Sequence, residues 1–164
     1  MNVFEFSLLL STLLCALVAG FVFAFAAVVM PGVQTLNDRD FLQAFKVMDG
    51  VIQRKQPLFM LVWVGSVFAL VICVLLSFRH LAGIDHLLLL CAAAIYLLGV
   101  QLPTATINIP LNNRLQELDL NAVNNPAISA ARFDFEGRWV KWNRIRTALA
   151  VLVSALLIIV AIRI

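Results

Sequence analysis

Four stretches of this chain are almost free of polar side chains, at residues 6–30, 58–78, 87–106 and 147–162. A hydrocarbon layer of about 30 Å takes about 20 apolar residues as helix, so each stretch is read as a membrane span. The last is short, but only Gly137 interrupts the sequence after Pro126. Asn125 as N-cap with Pro126 in the first turn therefore predicts one long helix that starts near 126, in water, and runs into the span. Between the first two spans Phe41, Phe45, Met48 and Ile52 recur every three or four residues among polar neighbours, the pattern of an amphipathic helix. Asn37 can cap it, and Asp38 and Asp40 suit its first turn. This helix is expected over 38–56, at the interface or folded back under the bundle. The predicted fold is all-α: a single membrane domain over 1–164, built as an integral membrane four-helix bundle with one interfacial helix.

Within the first span Ala16, Gly20 and Ala24 form a small-residue seam suited to close helix contact. Phe21, Phe23 and Phe25 flank it and are read as lipid-facing packing, with a pocket wall as the alternative. Met30-Pro31-Gly32 is expected to end the span, because proline lacks a donor and glycine permits a sharp reversal. The first seven residues carry no Lys or Arg and lead into an apolar run longer than a signal-peptide core, so the span is expected to be retained. Cys15, Cys73 and Cys91 lie inside apolar runs and read as small packing residues.

Composition excludes a soluble fold. Hydrophobic residues make up 63% and charged ones 13%, against about 45–50% and 25% in globular chains. The net charge of +3 does not point to nucleic acid, because the basic residues are confined to loops between apolar runs. Residues 31–57 hold Arg39, Lys46, Arg54 and Lys55; residues 107–146 hold Arg114, Arg132, Arg138, Lys141, Arg144 and Arg146; the other side has Arg79 and Arg163. Ten against two predicts both termini outside and both long loops in the cytoplasm.

Candidate chemistry lies at the basic end of the last two spans. At about 100° per residue, Arg132, Glu136, Trp139, Asn143, Arg146 and Thr147 fall on one narrow face. Gln101, Thr104, Asn108 and Asn112 share another, provided that Pro103 and Pro110 only kink their helix. Taken singly, such residues bond between helices or sit at the interface. Together they predict an inner-side polar cleft formed mainly by the third and fourth spans, because a carboxylate and a guanidinium inside a bundle must be paired or face water. Arg138, Lys141 and Arg144 point away from the stripe and suit lipid phosphates. Asp49 and Gln53, one turn apart, are read as solvated, with the cleft as the alternative. His80 and His86, near Asp85 in the short outer loop, lack the companions a metal or haem site needs and read as headgroup contacts, so no metal is predicted. No phosphate loop, Cys/His cluster or serine nucleophile motif is present. A transporter is disfavoured, since no charge lies near the middle of a span.

The runs Gly20-Phe21-Val22-Phe23-Ala24-Phe25 to Met30-Pro31-Gly32, Asn108-Ile109-Pro110-Leu111-Asn112, and Trp139-Val140-Lys141-Trp142-Asn143-Arg144-Ile145-Arg146-Thr147 resemble the anthrone-oxygenase-like family of four-helix membrane proteins. That resemblance implies a bacterial inner membrane protein and an oxygenase without a cofactor, with a bound quinone or haem left open. Its substrate would be a flat, lipid-soluble aromatic ketone or phenol. Such chemistry needs a base, donors for an oxyanion and a dry aromatic pocket. Glu136 or Asp49 would be the base, Asn108, Asn112 and Asn143 the donors, and Arg146 the counter-charge. Trp139 and Trp142 would form walls, with Gln101, Thr104 and Asp49 contacting the substrate. Partners would be membrane lipid and a small lipophilic molecule, with a homo-oligomer open. The alternative is a non-enzymatic protein in which the cleft holds a lipid, a quinone or a partner helix. A cavity walled by Trp139 favours small-molecule binding; side chains that close on one another favour a structural role.

Overall fold

Five helices carry the described residues, and local capping chemistry decides where most of them begin. The computed structural model describes residues 2–164. Helix α1 (Val3–Val33) opens with a capping box: the Asn2 side chain accepts the Glu5 N–H at 2.9 Å, and Glu5 accepts the Asn2 N–H at 3.0 Å. Helix α2 (Asp38–Gln53) starts at Asn37, whose side chain accepts the Asp40 N–H at 3.0 Å. It stops at Gln53 rather than at 56, because Lys55 takes a positive φ of 55° and Gln56 precedes a proline. Helices α3 (Pro57–Ser77) and α4 (Gly83–Glu117) follow. Helix α5 (Asn125–Arg163) is capped by Asn124 and not by Asn125. The Asn124 side chain accepts the Ala127 N–H at 3.1 Å, and its carbonyl accepts the Ile128 N–H at 3.1 Å, which places Pro126 inside the first turn.

Helices α1, α3, α4 and α5 are long and apolar enough to cross a membrane, with 31, 21, 35 and 39 residues. At 1.5 Å per residue α5 is about 58 Å long, well beyond a hydrocarbon layer. Helices α4 and α5 therefore project past the bundle at one end, hereafter the basic end, and α2 fills the space beside them. Two apolar cores result. One lies inside the four long helices around Leu8, Val18, Leu70, Leu89, Tyr96 and Leu157. The other joins α2 to the ends of α1, α4 and α5 around Met30, Phe41, Phe45, Leu111, Leu115 and Phe135.

The structure departs from expectation twice along α1. Ala16, Gly20 and Ala24 are exposed, and the buried line is Cys15, Val18, Ala19 and Val22. With Val22 inside, Gly20 lies about 200° round the helix and must face outward; no atom lies within 4 Å of where its Cβ would be. Second, Met30-Pro31-Gly32 does not end the helix, which continues to Val33. A widened π turn over Phe25–Val29 absorbs the proline. The same device precedes Pro103 (Ile95–Gln101) and Pro110 (Thr104–Asn108). In each case the residue before the proline donates its N–H five residues back: Met30 to Phe25, Leu102 to Leu97, Ile109 to Thr104. The wider turn moves the carbonyl that the proline ring would strike, so the helix bends without breaking.

Arg132 of α5 staples the α1–α2 turn in place. Its guanidinium donates to the Gln34 carbonyl at 3.0 Å, the Leu36 carbonyl at 2.7 Å, Asp38 at 3.1 Å and Glu136 at 2.6 Å, and lies 4.4 Å over the Phe41 ring. Arg39 and Lys46 of α2 likewise donate to the Leu120 and Leu118 carbonyls after α4. Arg132→Ala is expected to cost about 2 kcal/mol, the scale of losing charged hydrogen bonds, read as a lowered unfolding temperature in detergent. Arg132→Lys should recover less than half of the loss, because an ammonium cannot span four acceptors.

Candidate functional site

Between the two cores lies a cavity of about 310 Å³, and every helix contributes to it. Helix α5 supplies Trp139, Asn143 and Arg146, three to four residues apart and so on one face. Helix α4 supplies Thr104, Asn108 and Asn112; α2 supplies Phe45, Asp49 and Ile52; α1 supplies Phe21, Val22 and Phe25; and α3 supplies Phe59, Met60 and Trp63. The expectation that the third and fourth spans mainly form the cleft is thus corrected: α2 folds beneath them and α1 and α3 close the sides. Phe21 and Phe25 face the cavity rather than lipid, and only Phe23, 54% exposed, points outward.

One polar group centres on Arg146, which is 4% exposed. Its two terminal nitrogens donate to Thr104 Oγ1 at 2.7 Å and Asn143 Oδ1 at 2.9 Å, and its guanidinium lies 6.0 Å from the Trp139 ring. Asn143 donates in turn to the Val22 carbonyl at 3.1 Å. No ion pair among the described residues includes Arg146, and its Nε–H has no partner.

The second group centres on Asp49, which is 4% exposed and not solvated as expected. It lies one turn after Phe45 on the face that α2 turns to the bundle. Its carboxylate accepts Asn112 Nδ2 at 2.7 Å, Gln116 Nε2 at 2.8 Å and Gln53 Nε2 at 3.2 Å. Asn112 Oδ1 accepts the Trp139 indole N–H at 2.8 Å, which locks that ring across the basic end of the cavity. Asn108 donates weakly to the Trp139 carbonyl at 3.4 Å, and its Oδ1 is buried without a partner. A buried donor and a buried acceptor are therefore left open, Arg146 Nε and Asn108 Oδ1. Native structures rarely leave such groups unmet.

Three expected members lie elsewhere. Glu136 shares a face with Asn143 but sits seven residues earlier, about 10 Å along the axis and beyond Trp139, where it accepts Arg132 and Gln34. Trp142 lies about 100° round α5 from Asn143 and is half-buried away from the cavity. Gln101 accepts the Trp63 indole N–H at 3.0 Å behind the wall; the π turn that ends at Gln101 and the next, from Thr104, break the face arithmetic of a regular helix. The sequence reading missed the aromatic lining from α3 and α2, and Gln116. Phe59 and Trp63, four residues apart with rings stacked at 5.3 Å, carried a helical signal. Gln116 had none. His80, stacked on Phe4, and His86, edge-on to Phe78, lie at the far end of the bundle. Among the described residues no three His, Cys, Asp or Glu side chains group as metal ligands.

The family model described as anthrone oxygenase matches residues 51–156, about two thirds of the chain. That span takes in the polar residues from α4 and α5 and the aromatic wall of α3, and starts two residues after Asp49. No curated protein and no solved structure matches the chain.

The Asp49–Asn112–Trp139 chain has a measurable cost. Asn112→Ala strands the indole N–H and one carboxylate oxygen, and should destabilise the protein by about 2–4 kcal/mol in reversible unfolding in detergent. Ala at exposed Asn113, one residue on, should cost far less.

Proposed function

The chain belongs to the anthrone oxygenase family, and from that premise we propose that it is an oxygenase working without a cofactor on a flat, lipid-soluble aromatic ketone of the anthrone type. The observation that carries this reading is an aromatic cavity with two charged side chains in its wall, a carboxylate on α2 and a guanidinium on α5. Its volume of about 310 Å³ lies within the range of small-molecule sites, which favours a ligand over side chains that merely hold helices together.

Asp49 is the base. Three amide donors occupy part of its lone-pair capacity, leaving room to accept one more proton. It takes a proton from the ring methylene carbon opposite the ketone, and the electron pair moves onto the ketone oxygen. Arg146 supplies the counter-charge to that oxyanion from the cavity wall, and Asn108 lies beside it in the same wall. The anion gives up one electron to dioxygen and the two radicals join at the same carbon, forming a hydroperoxide once the proton returns. Loss of the second proton to Asp49 with departure of hydroxide from the O–O bond leaves a second carbonyl. Anthrone plus dioxygen thus gives anthraquinone plus water. Phe25, tilted, and Phe45, edge-on, pack against Trp139 with ring centroids 5.8 and 5.1 Å away, and the three rings exclude bulk water from the carbanion.

The location proposed is a bacterial inner membrane with both termini outside. Arg54, Lys55, Arg114, Arg138, Lys141 and Arg144 are all exposed at the basic end, which supports placing that end in the cytoplasm. A cysteine at Arg138 should react with an impermeant maleimide in inverted vesicles and not in intact cells; the reverse pattern would refute this topology.

Purified protein given anthrone and oxygen should form anthraquinone. Asp49→Asn should lower turnover at least about 100-fold, the usual scale for a general base, and Asn143→Ala should lower it as well. Glu136→Gln should stay within a few-fold of the parent. Turnover that is absent, or indifferent to Asp49 and Asn143, would refute the oxygenase reading. The binding-only alternative would show anthraquinone bound with no turnover at all.

A further inference from the structure

The polar wall and the chemistry it suggests leave open how a ligand reaches a cavity buried between two cores. Three sides are shut. Toward the basic end Trp139 is fixed by Asn112, and α2 lies across the opening through Asp49. Between α1 and α3 the Phe21 ring packs against Phe59 and Trp63, with centroids 5.2 and 6.2 Å away. Toward the termini end α3 and α4 are joined by Ser66–Tyr96 at 2.6 Å and Trp63–Gln101 at 3.0 Å.

Beyond the Trp63–Gln101 bond, toward the basic end, the two helices are not laced together by any side-chain hydrogen bond among the described residues. Val64 of α3 sits beside Trp63 at the level of that bond, and Ile109 of α4 lies about 12 Å nearer the basic end than Gln101; both line the cavity, yet they are 39% and 44% exposed on the outer surface, so they mark the two ends of its opening. Side chains that belong to the cavity and the surface at once mark its mouth. Both are apolar and both lie on helices long and apolar enough to cross a membrane; Val64 falls within the apolar run 58–78 and Ile109 just past the run 87–106, so the mouth opens on hydrocarbon at Val64 and reaches the edge of that layer at Ile109. Helix α3 is also the span least tied to the rest: it packs along α1 and has no extensive contact with α5.

We propose that this slot between α3 and α4, rimmed by Val64 and Ile109, is the route by which the ligand passes directly between the bilayer interior and the cavity. The inference rests on the small-molecule reading of the cavity and narrows its ligand class. The ligand must be an uncharged aromatic that partitions into hydrocarbon, and it can carry an alkyl group at the end remote from Arg146, where the chain extends through the slot into lipid. A ring with a fixed negative charge, confined to water, has no path in.

The test uses the full chain in phosphatidylcholine vesicles, with anthraquinone as probe and quenching of the native tryptophans as a stopped-flow signal. Binding is read, not turnover, so this result and the turnover assay stand or fall separately. Val64→Phe and Ile109→Phe should slow entry and exit together by ten-fold or more, whereas a wall residue that merely touched the ligand would change exit alone. Val64→Ala should speed both rates, which guards against a misfolded bulky variant. Leu61→Phe, on the lipid-facing surface outside the slot, should change neither. For the parent protein the entry rate should follow the mole fraction of anthraquinone in the membrane, not its total concentration, and anthraquinone-2-sulfonate should not quench. Rates indifferent to Val64 and Ile109, quenching by the sulfonate at a comparable rate, or no quenching by anthraquinone would each overturn the slot.

Discussion

A guanidinium buried among apolar helices without a counter-carboxylate is the constraint on which this architecture turns. Moving such a group out of water is costly, and the cost is tolerable only if its donors are met. Arg146 meets this through Thr104 on α4 and through Asn143, which bonds onward to the Val22 carbonyl of α1. Three spans are thereby tied at one level, and the apolar core above them is separated from the one below. The cavity lies where those ties hold the helices apart, with the Arg146 side chain in its wall and its Nε–H unpaired.

The second core makes that level habitable. Without α2 the polar groups of α4 and α5 would open to water at the basic end. Helix α2 closes the opening with Phe45 and Asp49 and is held by Arg132, Arg39 and Lys46. Several of the basic residues that an orientation rule counts as a charge bias are therefore also structural fasteners. They cap the carbonyls where α1 and α4 end.

The prolines give the long helices a further property. Each of Pro31, Pro103 and Pro110 follows a π turn that lets the helix run on through it. On α4 the second of its two π turns itself bears Thr104 and Asn108, so the polar residues reach the cavity from a helix that bends there. Widened turns of this kind are frequent at functional sites, and here they bring polar groups to the cavity without using a loop.

Apolar runs of spanning length, the period of α2 and the cap at Asn37 were legible along the chain, because each is a property of one segment and its solvent. The shared stripe of Asn143, Arg146 and Trp139 was legible for the same reason: α5 is a regular helix, so spacing translates into direction. Direction alone did not separate Glu136 from Asn143, since a face says nothing about height. It also failed for Gln101, where π turns change the angle per residue, and for Gly20, whose seam looked suited to contact until Val22 was placed inside. The burial of Asp49 was decided by tertiary structure alone. A carboxylate in an amphipathic helix reads as solvated until amides from another helix, more than sixty residues away in sequence, arrive to receive it. Patterning fixes what a helix is and which way its side chains point; how far each helix slides and rotates against its neighbours is settled only when all of them pack.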